Sequence, residues 1–505
     1  MEIVKLRGQN QTLFSKVTLR SLIEPLLVIF NKAVNEVMPQ SNYYIAYSVP
    51  GGVYGYFENQ PLTAEEVDKI RDKVKKLIQA NLDFQQEILP REKVLRYFKQ
   101  HRREDIIGLL NSQPGEPADD IHLAHLNGSG ELYFNHINEH YERLDSFKFF
   151  RFKKGFFLIA DPSFFDRVMP QRLELSKYLK RFEESDESMK QLGIENFAQL
   201  NAVIENGELP EFIKISEAYQ AKRIGRIADN IISHPLKPRL IFLAGPTSSG
   251  KTTSANRLAI ELKVMGKKVK ILSLDNFYLP HSKIPFDPVT GLQNFELITA
   301  LDLELFRDTI QKLMNGESVY MPKYHFDGKG ATPETQPTQI TPETYIIVEG
   351  IHGLNPDLWK NVLEVESYRL YVSALNTLNI HNHLPLSTSD HRLIRRLVRD
   401  HLFRGYSFNE TIKRWPDVIE NEYHSIFPYQ ESAHAILNSS LIYEIAVFAH
   451  YAPAILRPEL AENEAIKEEV KRLNRILNLL KPINPVDIPP TSILREFIGG
   501  SSFVY

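Results

Sequence analysis

Cysteine is absent from the whole chain, which excludes disulfides, thiolate metal ligands and a cysteine nucleophile. No apolar run approaches the roughly 18 residues a membrane-spanning helix needs. The opening MEIVKLRGQNQTLF has no apolar centre of the secretory kind. A cytoplasmic protein with no membrane partner is therefore expected. Net charge is also scarce, −3 with histidine neutral, so a broad nucleic-acid-binding face is disfavoured and only a local basic groove remains open. Internal repeats and long low-complexity tracts are missing as well. What is present is a globular composition, 43% hydrophobic and 24% charged, on a chain of 505 residues. That length exceeds one ordinary core and implies two or three domains.

The most informative stretch is Gly245-Pro246-Thr247-Ser248-Ser249-Gly250-Lys251-Thr252, followed by Thr253. It joins the apolar run Leu240–Ala244 to a helical pattern from Ser254 to Leu262, which is the strand–glycine loop–helix context of a phosphate-binding loop. The glycines let backbone N–H groups turn toward phosphate oxygens, and the helix start adds a positive dipole end. Lys251 can reach the terminal phosphates, and the Thr252 hydroxyl can ligate Mg²⁺. Nucleoside triphosphate binding follows.

Along the chain, residues 1–165 read as a mixed α+β unit. Ser21–Val37 has helical apolar spacing, Tyr43–Val49 and Val53–Phe57 flank Pro50-Gly51-Gly52 as a hairpin, and Thr63–Glu66 is a capping box. A helix over Arg91–Leu110 and a second hairpin through Lys154-Gly155 complete the unit. Residues 166–235 read as a helical connector. Residues 236–452 carry apolar strands at Leu240–Ala244, Val269–Leu274, Tyr345–Val348 and Tyr368–Val372, alternating with helical pattern, which predicts an α/β fold with a covered parallel sheet. Residues 453–505 read as a charged helix, a proline-rich turn and a tail.

Two strands end in carboxylates. Asp275 follows Val269–Leu274, at the strand end where a ligand's reacting group lies, and a kinase needs such a group to accept a hydroxyl proton. Glu349 ends Tyr345–Val348 in the Walker B arrangement, placed to hold Mg²⁺ opposite Thr252. Further on, Arg392, Arg396 and Arg399 share a helix face with Arg395 beside them, and the run continues to Arg404-Gly405. A lid needs such guanidiniums to neutralise a transferring phosphoryl group and exclude water.

The Gly245 loop, Asp275-Asn276-Phe277-Tyr278, Asn294-Phe295-Glu296, Pro322-Lys323-Tyr324, Glu349-Gly350-Ile351 and Arg392–Gly405 together resemble the uridine/cytidine kinase branch of P-loop kinases, which includes phosphoribulokinases. The resemblance covers about residues 236–450. It implies a five-stranded parallel sheet with an arginine lid, ATP with Mg²⁺ as cofactors, and Asp275 as catalytic base. It further implies Tyr278, Glu296 and Tyr324 on the nucleoside, Arg396 near nucleoside and phosphate, and Arg399 and Arg404 in the lid. Two positions depart from the pattern: Lys329 stands where a histidine is common, and Tyr406 stands in place of a second lid arginine. The segment Ser373–Asp390 is longer than the link requires.

Residues 1–165 more loosely resemble the second additional domain of threonyl-tRNA synthetase. The metal-dependent editing site of that domain uses a cysteine, which this chain cannot supply. His136 and His140 have ligand spacing but no evident third partner, and the pairs His122/His125 and His381/His383 are weaker metal candidates still. The expected activity is phosphorylation of a nucleoside 5′-hydroxyl, with uridine or cytidine as the small-molecule partner. A kinase for another nucleoside or a sugar alcohol stays open. So does a nucleotide-gated regulatory protein that binds RNA through the tyrosine-rich hairpin at 43–57, and a homo-oligomer is also open.

Overall fold

The computed structural model describes residues 11–39, 41–58, 60–80, 84–113, 120–135, 141–286, 293–325, 330–359 and 367–504. Strand β1, Leu240–Ala244, is buried at every residue, as a central strand covered on both faces must be. It leads through the glycine loop into helix α1, Lys251–Val264. Four further strands complete the sheet: β2 (Val269–Ser273), β3 (Tyr345–Glu349), β4 (Ser367–Ser373) and β5 (Ala435–Asn438). Their order is β5-β4-β1-β3-β2 and every pairing is parallel. The chain is thus an α/β protein with a five-stranded P-loop-type sheet. β5 carried no separate signal in the sequence, being only four residues long.

Alternation along β1 sends Ile241 and Leu243 to one face and Leu240 and Phe242 to the other. On the first face they meet α1 through Ala255, Leu258 and Leu262, and the helix Leu209–Ser233 through Ile224, Ile227 and Ile231. On the second they meet Phe306, Ile310 and Leu313 of the helix Leu303–Met314. Two more helices matter for the site: α2 (Thr388–Arg399) and α3 (Phe408–Ser425).

Toward the start of the chain lie two antiparallel sheets. One pairs Tyr43–Val49, Gly52–Phe57, Gly155–Ile159 and Lys148–Phe152, so both expected hairpins are present and adjoin. Tyr43, Tyr47 and Tyr54 are buried in the core, and Tyr44 and Tyr56 stack on each other at 5.5 Å, so these rings pack within the fold. The Thr63 capping box forms, and Val67, Ile70, Val74 and Leu77 line the buried face as the spacing predicts. The other sheet, Gln85–Pro90, Asp120–Leu126 and Ser129–Leu132, was not anticipated because its first strand is mostly exposed and lacks alternation. The single helix expected over 91–110 is two, Arg91–Gln100 and Glu104–Asn111, broken where Arg102 takes φ 54°. His136 and His140 lie outside the described residues.

The long segment after β4 is a clamp. It forms a small hairpin, Asn379–His381 with Leu384–Pro385, that docks on the first antiparallel sheet. Ile45 donates its N–H to the Asn382 carbonyl (2.8 Å), and the Asn382 N–H reaches Asp105 (2.8 Å). His383 stacks on Tyr43 at 4.1 Å and contacts Glu131. Arg103 lies against both His381 and His383 while pairing with Asp105 and Glu131. These two histidines therefore serve the junction between the antiparallel unit and the parallel sheet.

Candidate active site

The glycine loop wraps the start of α1 because two of its residues leave ordinary backbone space: Ser248 at φ 61° and Gly250 at φ 78°. Gly245 is required for a different reason, since a Cβ there would lie 2.0 Å from the Val372 carbonyl oxygen of β4. Ser249 and Thr253 are fully buried, and Lys251 and Thr252, first on the helix, are half-buried. Lys251 folds back to donate to the Pro246 carbonyl at 3.1 Å. Burial lowers its pKa, against the pull of Glu349, Asp275, Glu496 and Glu422.

Asp275 is the second residue of the short turn Leu274–Phe277 directly after β2 and is exposed. The protein ringing its carboxyl raises the pKa, opposed by Lys251, Arg404 and Arg399. Glu349, at the end of β3, is buried and accepts from the Ser273 hydroxyl at 2.8 Å. Burial and the neighbouring Asp275 push its pKa up to about 7. Two strand-end carboxylates and one ammonium are thus near enough to shift one another's protonation.

Beside them Tyr278 and Tyr324 tilt together with ring centroids 5.8 Å apart. Tyr278 feels Asp275, Glu296 and Tyr324, and burial drives its hydroxyl pKa well up. The Tyr324 N–H is held by the Asn276 side chain at 3.2 Å, which ties the Pro322–His325 strand to the Asp275 turn. Glu296 has its pKa raised to about 7 by burial, Glu422 and Asp275, against the pull of Arg396 and Lys251. Asn294 donates to Asn421 of α3 at 2.9 Å, fixing this segment against that helix. Lys329 lies outside the described residues.

The arginines divide into two sets, and here the expectation of one lid face is corrected. Arg392 and Arg395 are buried behind the loop. Arg392 donates to the Thr247 carbonyl (2.9 Å) and pairs with Glu422, which also accepts the Thr247 N–H (2.9 Å). Arg395 donates to both oxygens of Glu444 (2.7 Å at the shorter) and to the carbonyls of Ser248 (3.3 Å) and Ser439 (3.0 Å). They brace the loop from inside. Arg396, Arg399 and Arg404 instead gather on Asp400, at 3.1, 2.9 and 3.9 Å. They can do so because the helix widens to a π-turn over Asp400–Arg404 and ends at Gly405 with φ 67°. Glu422, Ser273 and Glu444 carried no sequence signal, since each acts on a partner distant in the chain.

A phosphate loop at a parallel sheet's carboxyl edge, two neighbouring strand-end carboxylates and a separate arginine cluster define a P-loop phosphotransferase. Residues 240–445 match the model of the phosphoribulokinase / uridine kinase family. A uridine kinase of Bacillus pumilus is 30% identical over 183 residues, 36% of this chain and 77% of that one. A uridine kinase of Deinococcus deserti is 30% identical over 202 residues, 36% of this chain and 87% of that one. A solved structure from Bacillus stearothermophilus, described as a possible uridine kinase, is 20% identical and covers 30% of this chain and 79% of its own, with a TM-score of 0.25. The chain belongs to the phosphoribulokinase / uridine kinase family and is an ATP-dependent kinase. Among the described residues no helix is long and apolar enough to cross a membrane.

Proposed function

We propose that the enzyme transfers the γ-phosphate of ATP to the 5′-hydroxyl of a nucleoside, uridine or cytidine. The observation that carries the reading is the grouping of Tyr278, Tyr324 and Glu296 directly beside Asp275: rings to hold a base, a carboxylate for ribose hydroxyls, and a base for the hydroxyl proton. The acceptor class is supported by the relatives' names as uridine kinases.

Gly245 to Thr253 would cradle the phosphates, with Lys251 at their reacting end. Asp275, whose pKa burial raises against the pull of Lys251, Arg404 and Arg399, accepts the 5′-hydroxyl proton. Arg396, Arg399 and Arg404 leave Asp400 for the phosphoryl oxygens and shut out water. Glu349 and Thr252 fit magnesium: both offer hard oxygen donors, and a buried carboxylate with a raised pKa is one whose charge a cation would stabilise. When bound, that ion supplies neutralisation of the phosphate charge. Lys329 stands in the proposal as a further substrate contact. The division at 165, 235 and 452, and the likeness of residues 1–165 to the synthetase domain, also belong to it, the latter without editing chemistry because cysteine is absent.

The test is direct: purified protein, ATP and a panel of nucleosides and sugars. Phosphorylation of uridine or cytidine at the 5′ position is expected, and no product from any nucleoside defeats the reading.

A further inference from the structure

Thr253, third residue of α1, gives its backbone N–H (3.1 Å) and its hydroxyl (2.6 Å) to one oxygen of Glu496. Glu496 lies in the short helix Arg495–Ile498, outside the residues the family model matches. The first N–H groups of a helix that follows a glycine loop have no partner inside the helix, and they are the donors a phosphate chain takes. Lys251 and Arg399 feel the same carboxylate. An acidic side chain of the protein itself thus sits where donors and positive charge are arranged for a phosphate.

Its neighbours seat it firmly across both halves of the nucleotide machinery. Ile493 packs so close to Gly250 that a Cβ on the glycine would lie 2.9 Å from its methyl. Phe497 is buried beneath the Arg395 guanidinium at 4.9 Å. Gly499 touches the end of the arginine segment, where a Cβ would meet the Phe403 ring at 2.6 Å. The segment touches the loop at one end and the lid at the other.

We propose that residues 493–499 are an intramolecular competitor of the nucleotide: Glu496 holds the Thr253 donors in the empty enzyme and yields them to a phosphate of ATP. The inference rests on the Gly245–Thr253 loop being the nucleotide cradle. A ligand that needs a minor, open state binds more weakly by the fraction of molecules in that state. Removing the competing charge while keeping its shape, Glu496→Gln, should therefore tighten ATP binding, on the order of tenfold if about a tenth of molecules are open.

Two measurements decide it. Isothermal titration of the full chain with Mg·ATP should give tighter binding for Glu496→Gln than for the unaltered enzyme. Hydrogen exchange of the unaltered enzyme should show amides 493–499 exchanging faster once ATP is added, and this measurement decides alone if the variant does not fold. Equal or weaker binding by Glu496→Gln overturns the proposal, as do unchanged or slowed amides. Lys251→Ala separates the two readings. If it binds ATP far more weakly while Glu496→Gln gains nothing, only the competitor fails. If it binds as the unaltered enzyme does, the cradle reading fails and takes the competitor with it.

Discussion

Asp275 sits between opposing influences: the surrounding protein favours its neutral form, while Lys251, Arg404 and Arg399 favour the ionised one. A general base poised this way contributes about 10²–10⁴-fold to rate. Asp275→Asn should lower kcat by that factor and leave ATP affinity nearly intact, as read by steady-state kinetics with parallel ATP titration. A nucleotide-gated binding protein would be indifferent to the change. Glu296 gives a pH signature. Its pKa is pushed up to about 7, so the carboxylate that would accept ribose hydroxyls is ionised above that pH and protonated below it. The kcat/KM for nucleoside should therefore fall as pH drops below about 7, and Glu296→Gln should flatten that limb of the profile while lowering its plateau.

At the scale of the element, α2 carries two groups of arginines with different partners. Heptad arithmetic puts four arginines close together but cannot say which point at a ligand; the position of the glycine loop decides. Arg395 is fully buried, with Glu444 equally buried and also contacted by His391. Removing one partner of such a pair costs about 3–5 kcal/mol because the other charge is left stranded. Arg395→Ala should lower the unfolding free energy by about that much in urea titration, and ATP affinity should fall with it, since Ser248 loses its brace. Arg399→Ala, by contrast, leaves Asp400 still paired with Arg396, so its unfolding midpoint should move little while kcat falls.

Across the whole molecule, the clamp at 379–385 joins two units through charge. His381 is almost wholly buried, and burial holds its pKa down to about 4, against an ordinary value of 6.5. A histidine depressed in the fold lends stability that is complete above the unfolded value and lost as pH falls through the folded one. Stability should accordingly decline between pH 6.5 and 4, by a few kcal/mol at most for this group, on the order of 1.4 kcal/mol per pH unit. Glu131, held down to about 2 chiefly by Arg103 and His383 against its burial, adds its own loss only at still lower pH. Urea unfolding across that range checks the sign, and His381→Asn should remove only its own share of the slope, because His352 and His434, also held down to about 4 by burial, keep theirs.

The sequence by itself determined the phosphate loop, the two strand-end carboxylates, the hairpins and the Thr63 capping box. Each is written in neighbouring residues, through a glycine that admits an unusual backbone angle, a two-residue alternation or a cap three residues from its partner. Tertiary structure alone decided the rest. It sorted Arg392 and Arg395 from Arg396, Arg399 and Arg404, turned an unexplained insertion into a junction, and brought Glu422 and Glu496 to the loop from more than 170 residues away along the chain. The physical reason is one of range: local pattern fixes which way a backbone turns and which face is apolar. Which buried charge finds which partner is settled only when distant segments pack, because an unpaired charge is too costly to leave inside.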